Sequence, residues 1–357
     1  MSLYNGDKLK IEIYGQSHAE KIGVRVSGFP RMKIDEERLS ELMQRRSPSG
    51  AVYSTKRKEP DQPIFEKGVD NGVIDGDFEA VIYNRDVKSG DYNELYARPR
   101  PSHADLVRYF KSGEKDYRGG GEFSGRLTAP MCIVGALCKQ YLYEKFGVEI
   151  LAYVESVGKI AGVSYRDSIL TADQIKDCHG GFPSLSDCRA MIQEIENATG
   201  DGDSVGATVD CVVFNFPEGI GGSLFDGLEG KIAQLVYAIP AVKGVEFGLG
   251  FGLSTSTGYE VNDFISMVDG KPTVMTNYAG GINGGISNGN QITLSVAFRP
   301  TPSISKKQRT VDLEKMQDVE IEIKGRHDPC VGVRAVPVVE SAVAIALLDS
   351  ILKENRV

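Results

Sequence analysis

Gly325-Arg326-His327-Asp328-Pro329-Cys330, followed by Val331-Gly332-Val333-Arg334-Ala335-Val336-Pro337-Val338-Val339-Glu340, is the stretch on which the reading of this chain turns. It sets a cation, an imidazole, a carboxylate and a turn-forming proline in four consecutive positions. An apolar helix is expected to run on from it through Ala342, Ile345, Leu348 and Ile351. An X-Pro step ahead of a helix holds the side chains before it in one geometry. Arg326 offers a planar fork for phosphate or carboxylate, and Asp328 can take up or release a proton beside it. In isolation the same run also reads as a charged loop capping a C-terminal helix. The rest of the chain decides between the two.

At 357 residues the chain can build one large core or two ordinary domains. Apolar content of 41% and charged content of 25% are those of a globular protein, and no stretch reads as a membrane span or a signal peptide. A net charge of −8 points away from nucleic acid. Cys132, Cys138, Cys178, Cys188, Cys211 and Cys330 show no C-x-x-C spacing, so they read as buried thiols of a reducing cytoplasm. The four histidines are too scattered to suggest a metal, and none is expected. The 41 glycines cluster at 119–121, 180–181, 248–252 and 280–289, where backbone turns sharply or approaches a ligand.

Residues 8–14 alternate polar and apolar and predict a strand, with a second at 22–26. Asp35 is placed to cap a helix carrying Leu39, Leu42 and Met43 inward and ending at Arg45-Arg46-Ser47-Pro48. A strand at 78–83, a long loop to 101 and a short helix at 105–111 follow. A helix from about 124 to 146 is stopped by Gly147, with Met131, Val134, Cys138 and Leu142 as its core face. Strands are then expected at 148–154, from the run 202–206 to about 214, and at 242–247, 292–298 and 318–323. Helices are expected at 187–198 and 228–237, the last broken by Pro240, and a glycine-asparagine loop at 283–290. Strands and helices mix throughout without a linker, which predicts one α/β domain over residues 1–357.

Several loops carry chemistry. Gly15-Gln16-Ser17-His18 ends the first strand, although His18 taken alone reads as structural. Arg100-Pro101-Ser102-His103-Ala104-Asp105 presents an imidazole on a proline-fixed turn between an arginine and a helix-starting aspartate. Gly119-Gly120-Gly121 precedes a helix with Ser124 and Arg126, an arrangement that can cradle an anion on backbone N–H groups. Its spacing fits neither a Rossmann turn nor a P-loop. His179 reads as a turn residue. Together the loops offer Arg46, Arg57, Arg100, Arg126, Arg299 and Arg326 beside two histidines and one aspartate. That is equipment for a small polyanion and for proton transfer, without naming a reaction.

In this order the motifs resemble the chorismate synthases over nearly the whole chain. Gly15-Gln16-Ser17-His18 answers to the family's G-E-S-H-G, Arg45-Arg46-x-Pro48 to R-R-R-P-G, and Ser54-Thr55-x-Arg57-x-Glu59-x-Asp61 to the segment that follows. The run from Arg100 to Asp105 answers to R-P-G-H-A-D, and Gly119–Arg126 to G-G-G-R-S-S-A-R-E-T. Gly202–Gly206, Gly284–Gly289, Arg299-Pro300-Thr301 and Gly325–Ala335 complete the set.

The resemblance implies a β-α-β sandwich of the chorismate synthase type, usually a homotetramer in the cytoplasm. It implies a 1,4-anti elimination of phosphate from 5-enolpyruvylshikimate 3-phosphate, with reduced FMN required and no net redox. By position, His103 would protonate the leaving phosphate, His18 would hold the protonation state of the flavin, and Asp328 would assist proton removal at the flavin nitrogen. Arg46, Arg57, Arg100 and Arg126 would bind substrate. Glu122, Phe123, Ser124, Pro240, Ala241, Gly284, Arg299, Pro300, Thr301, Pro302, Ser303 and Arg326 would line the FMN. Departures from the family pattern include Gln16, Ala19, Ser47, Glu122, Phe123 and Leu127. Val52 stands where an arginine linked to NADPH use is expected, so NADP and a separate flavin reductase both stay open as sources of reduced flavin. A repurposed paralogue that binds FMN or a phosphorylated ligand without turnover is the reading of a different class.

Overall fold

The computed structural model describes residues 1–17, 19–47, 61–84, 96–115, 120–176, 182, 185–323 and 328–355. His18, Arg57, Cys178, His179 and Arg326 lie outside them. The first sheet holds β1 (Ser2–Asn5), β2 (Lys10–Tyr14), β3 (Lys21–Lys33), β4 (Ile64–Asp70) and β5 (Val73–Tyr83) in the order β1-β2-β3-β5-β4, every pair antiparallel. The strand expected at 22–26 continues to Lys33, past two shifts of register around Phe29. Bulges of this kind break the period-two pattern that locates a strand in sequence. β1 and β4 were not expected, because both are largely exposed and carry no apolar alternation.

Between β3 and β4, α1 (Glu36–Arg46) starts where Asp35 accepts the backbone N–H groups of Glu37 and Arg38, each at 3.1 Å. Leu39, Leu42 and Met43 turn inward as their spacing predicts. Next come α2 (Asp105–Ser112) and α3 (Thr128–Phe146), with two 3-10 turns over Gly121–Phe123 and Gly125–Leu127. Gly147 closes α3 at φ 67°, the left-handed conformation a glycine allows cheaply.

The second sheet joins β6 (Glu149–Val157), β7 (Ile160–Ala161), β8 (Ala207–Phe214) and β9 (Val242–Phe247) to a later strand. Between them lie α4 (Ala172–Lys176), α5 (Leu185–Gly200) and α6 (Leu228–Tyr237). After β9 come α7 (Gly258–Val261), a hairpin of β10 (Ile265–Val268) and β11 (Lys271–Val274), and a small one of β12 (Ile282–Asn283) and β13 (Ile286–Ser287). β14 (Ile292–Phe298) then enters the sheet, whose order is β7-β6-β8-β14-β9, again all antiparallel. The β15 (Gln308–Asp312) and β16 (Gln317–Ile321) hairpin precedes α8 (Val331–Lys353).

α3 and α8 fill the space between the sheets, α3 against β3 and β5, α8 against β6 and β8. The fold is therefore the expected β-α-β sandwich. One expectation fails: α3 has no single core face. It is buried on nearly every side, from Thr128 through Leu142, because a sheet lies on one flank and α8 on another. α8 is apolar over a length that could cross a bilayer, yet it forms the centre of the core. Each fully buried Val, Leu or Ile here contributes about 1.5–3 kcal/mol.

The two helices run parallel. Cys132 lies against the carbonyl of Pro337 at 3.9 Å, and Gly135 lies against Ser341 so closely that a Cβ would overlap it. Both helices thus present their N-termini, the positive ends of their dipoles, at the same end of the sandwich. At the far end Asp349 accepts the N–H groups of Asp7, Lys8 and Leu9, each at 2.8 Å, and pins the first sheet to α8.

Candidate active site

The positive end of the helix pair is where the arginines gather. Arg46, the last residue of α1, is buried. Its guanidinium bonds one oxygen of Asp61, the carbonyl of Gly125 at 3.0 Å, and the Thr128 hydroxyl at 3.2 Å. Arg126 takes the other oxygen of Asp61 and donates from Nε to Asn84 Oδ1 at 3.0 Å. Asp61 is fully buried. Burial opposes its charge, but the two guanidiniums prevail and hold the carboxyl below its ordinary range. Two cations thus share one buried anion at this end of the core. Asn84 also donates to the carbonyls of Ala19 at 2.7 Å and Gln16 at 3.4 Å. The turn on either side of residue 18 is thereby tied to Arg126.

The first turn of α8 joins the same cluster. Arg334 donates to Asp328 Oδ2 at 2.7 Å and to the carbonyl of Arg46 at 3.3 Å. The carbonyl of Pro329 accepts from the Val205 N–H at 2.9 Å, and the Ser204 hydroxyl donates to the carbonyl of Thr301 at 2.7 Å. Arg299 N–H donates to the carbonyl of Ala241 at 3.0 Å. The loops 203–206, 299–303 and 240–241 therefore converge on Asp328. Ser303 is buried there and Arg299 is half-buried. Among the described residues Arg299 has no carboxylate partner, and burial lowers its guanidinium pKa.

The remaining residues expected at a cofactor are spread more widely. Ser124 accepts the Arg126 N–H at 3.2 Å, next to the arginine cluster. Glu122 and Phe123 are exposed, with a Glu122 oxygen 3.9 Å from the Met1 amine. Gly284 is not brought to Ala241. Its neighbour Gly285 accepts from the N–H of Leu228, where α6 begins, whereas Ala241 follows the end of that helix. Ten residues of helix separate the two by about 15 Å.

His103 stands on a turn closed by its N–H to the carbonyl of Arg100 at 3.2 Å, with Ser102 at φ 58°. Its Nδ1 lies 2.7 Å from Asp105 Oδ1. Arg100 is buried and grips both oxygens of Asp105, at 2.7 and 2.9 Å, as well as donating its backbone N–H at 3.0 Å. Burial works against the Asp105 charge, but the His103 and Arg100 hydrogen bonds bring its pKa down to about 2. Asp105 therefore does not cap α2 with its side chain, as its sequence position suggested. This turn reaches the rest of the site on two sides. Arg108 of α2 packs on Gly121, and Thr310 of β15 donates to the carbonyl of Pro99.

Asp61, Asn84, Asp105 and Arg334 organise this end of the fold; the sequence offered Asp105 only as the start of a helix and gave no side-chain role to the other three. Asp61 pairs across 15 and 65 residues and Asn84 across 42, so no local spacing could reveal them. Among the described residues no cluster of side chains is suited to hold a metal.

The family model "Chorismate synthase" matches residues 9–352. A chorismate synthase from Pyrococcus abyssi is 42% identical over 353 residues, covering 97% of either chain. One from Archaeoglobus fulgidus is 42% identical over 356 residues, covering 99% of this chain and 98% of its own. A solved structure titled "Crystal Structure of Chorismate Synthase" superposes with a TM-score of 0.76 at 26% identity, covering 99% of this chain and 93% of that one. Fold and relatives together define a carbon–oxygen lyase that acts on a small molecule. The chain belongs to the chorismate synthase family, whose members serve the shikimate pathway.

Proposed function

We propose that the protein eliminates phosphate from 5-enolpyruvylshikimate 3-phosphate to form chorismate, with reduced FMN present and no net redox change. The observation that carries this reading is the shared placement of an imidazole and an arginine cluster. His103 stands on a rigid turn at the end of the fold where two helix N-termini and the Arg46–Asp61–Arg126 cluster concentrate positive charge. A leaving phosphate needs this combination, since cations stabilise its growing charge while an acid delivers a proton.

In this reading Arg46 and Arg126, with Arg57, hold the substrate anions, and Arg100 contributes through Asp105. His103 protonates the departing phosphate. Asp328 would assist proton removal at the flavin nitrogen, and His18 would set the protonation state at the cofactor. The residues present suit an FMN. Among the described residues Arg299, half-buried, has no carboxylate partner, and an anionic group such as a cofactor phosphate would neutralise it. By family position Ser303, Thr301, Pro300, Pro302, Pro240, Ala241 and Ser124 would line the cofactor together with Glu122, Phe123, Gly284 and Arg326. Reduced flavin, when bound, supplies electron density beside the ring that loses phosphate.

We read residues 1–357 as one domain, because one apolar core takes residues from both sheets and both central helices. Buried free thiols at Cys132, Cys138, Cys188, Cys211 and Cys330 support a cytoplasmic setting. Self-association into a homotetramer is supported by the apolar side chains left open on the β9–β11 side, among them Phe251, Tyr259, Ile265 and Met267. Whether NADP or a separate flavin reductase supplies the reduced cofactor is a matter for assay. The deciding experiment is anaerobic: protein, substrate and chemically reduced FMN should release phosphate and chorismate in equal amounts while the flavin stays reduced. Stoichiometric flavin oxidation would overturn the proposal.

A further inference from the structure

We propose that Asp105, locked by Arg100, is the positioning residue for His103: it holds the imidazole proton on Nδ1, so that Nε2 is the atom that gives and takes the transferred proton. This rests on the reading of His103 as the general acid. The geometry favours one assignment of the proton. Nδ1 has two neighbours, Asp105 Oδ1 at 2.7 Å and Arg100 Nη2 at 3.2 Å. Were Nδ1 an acceptor, its lone pair would face the carboxylate oxygen at 2.7 Å with no proton between them. Arg100 Nη2 already has an acceptor in that same oxygen, at 2.9 Å. Asp105, ionised well below neutral pH, can only accept. The proton therefore sits on Nδ1, and no described residue bonds Nε2.

The three groups divide the work. Arg100 is buried and takes both oxygens of Asp105, so the carboxylate cannot rotate away. Its positive charge also offsets that of Asp105. The carboxylate can then orient the ring through Nδ1. The turn adds a backbone constraint, since both Arg100 and His103 are fixed by it. A histidine held at Nδ1 by an acceptor, with Nε2 directed to a reactant, is a general solution to the tautomer problem. When protonated, the imidazole bears a proton on each nitrogen. Transfer from Nε2 to the leaving phosphate oxygen returns it to the neutral Nδ1–H form.

The test begins with the unaltered protein. In protein carrying 15N-labelled histidine, the His103 signals are those lost in His103→Gln. Neutral His103 should show a protonated Nδ1 and a bare Nε2, and the opposite tautomer would overturn the proposal without any Asp105 variant having to fold. Asp105→Asn should then lower kcat about 10²-fold at pH 8, with KM changed less than threefold. Asp105→Glu should recover at least tenfold of the loss. Wild-type kcat in Asp105→Asn, beside a slow His103→Ala, would overturn the proposal and leave the general-acid reading standing. Wild-type turnover in His103→Ala would overturn both.

Discussion

Replacing Glu340 by glutamine removes a negative charge from the centre of the sandwich and almost no volume. Glu340 is fully buried midway along α8. One of its oxygens accepts from Arg45 at 2.7 Å and from the Ala152 N–H at 3.0 Å; the other accepts from Arg45 at 3.0 Å and from Lys139. Burial alone would raise its pKa, but Arg45 and Lys139 outweigh it and lower the value from the ordinary 4.5 to about 2. At about 1.4 kcal/mol for each pKa unit, that difference corresponds to roughly 3 kcal/mol of folding stability at neutral pH. Losing one partner of a buried ion pair costs about 3–5 kcal/mol. The side chains of Arg45 and Lys139 are 37% and 20% exposed and can turn partly to water, so the lower end applies. Glu340→Gln should therefore lose about 2–3 kcal/mol in urea unfolding at pH 7. The sign follows from a depressed carboxylate: the contribution is whole above about pH 4.5 and fades as pH falls towards 2. The gap between variant and parent should close over that range. A loss below 1 kcal/mol at pH 7, or a gap of constant size from pH 7 to pH 3, would refute the reasoning.

Asp210 should behave in the opposite sense. Burial on the outer face of the second sheet raises its pKa to about 6 despite hydrogen bonds from Ser295 and Ser164, so it destabilises the fold as pH climbs from about 4 to 6. Asp210→Asn should match the parent near pH 4 and exceed it by up to about 3 kcal/mol at pH 7, and melting curves with equal differences at both pH values would count against this. Ser102 occupies a left-handed conformation where the family pattern has glycine. Ser102→Gly should raise stability by about 0.5–1 kcal/mol in thermal or urea melts, and a loss would show that the serine hydroxyl matters more than the strain. Glu122→Arg should tighten FMN by about 1 kcal/mol in low salt and by less in high salt, read by fluorescence titration. Unchanged affinity would place Glu122 away from the cofactor.

Much of this could be read from residue order alone. Asp35 announces the start of α1, Gly147 the end of α3, and Pro240 the end of α6, because caps and breakers act on the backbone within a turn of themselves. α6, β9 and β14 fall at the expected residues, since each has an apolar pattern bounded by such signals. The loops rich in arginine and histidine were visible as chemistry for an anion, and their order was enough to suggest the family. Which arginine meets which acid was decided elsewhere. Arg46 and Arg126 share Asp61, Arg45 holds Glu340 across 295 residues, and Arg100 turns to Asp105. Such pairings depend on how two parallel helices and two sheets close on each other, and a one-dimensional pattern does not contain that distance. The same closure explains why α3 shows no polar face: periodicity marks an element with one side in water, and α3 has almost none.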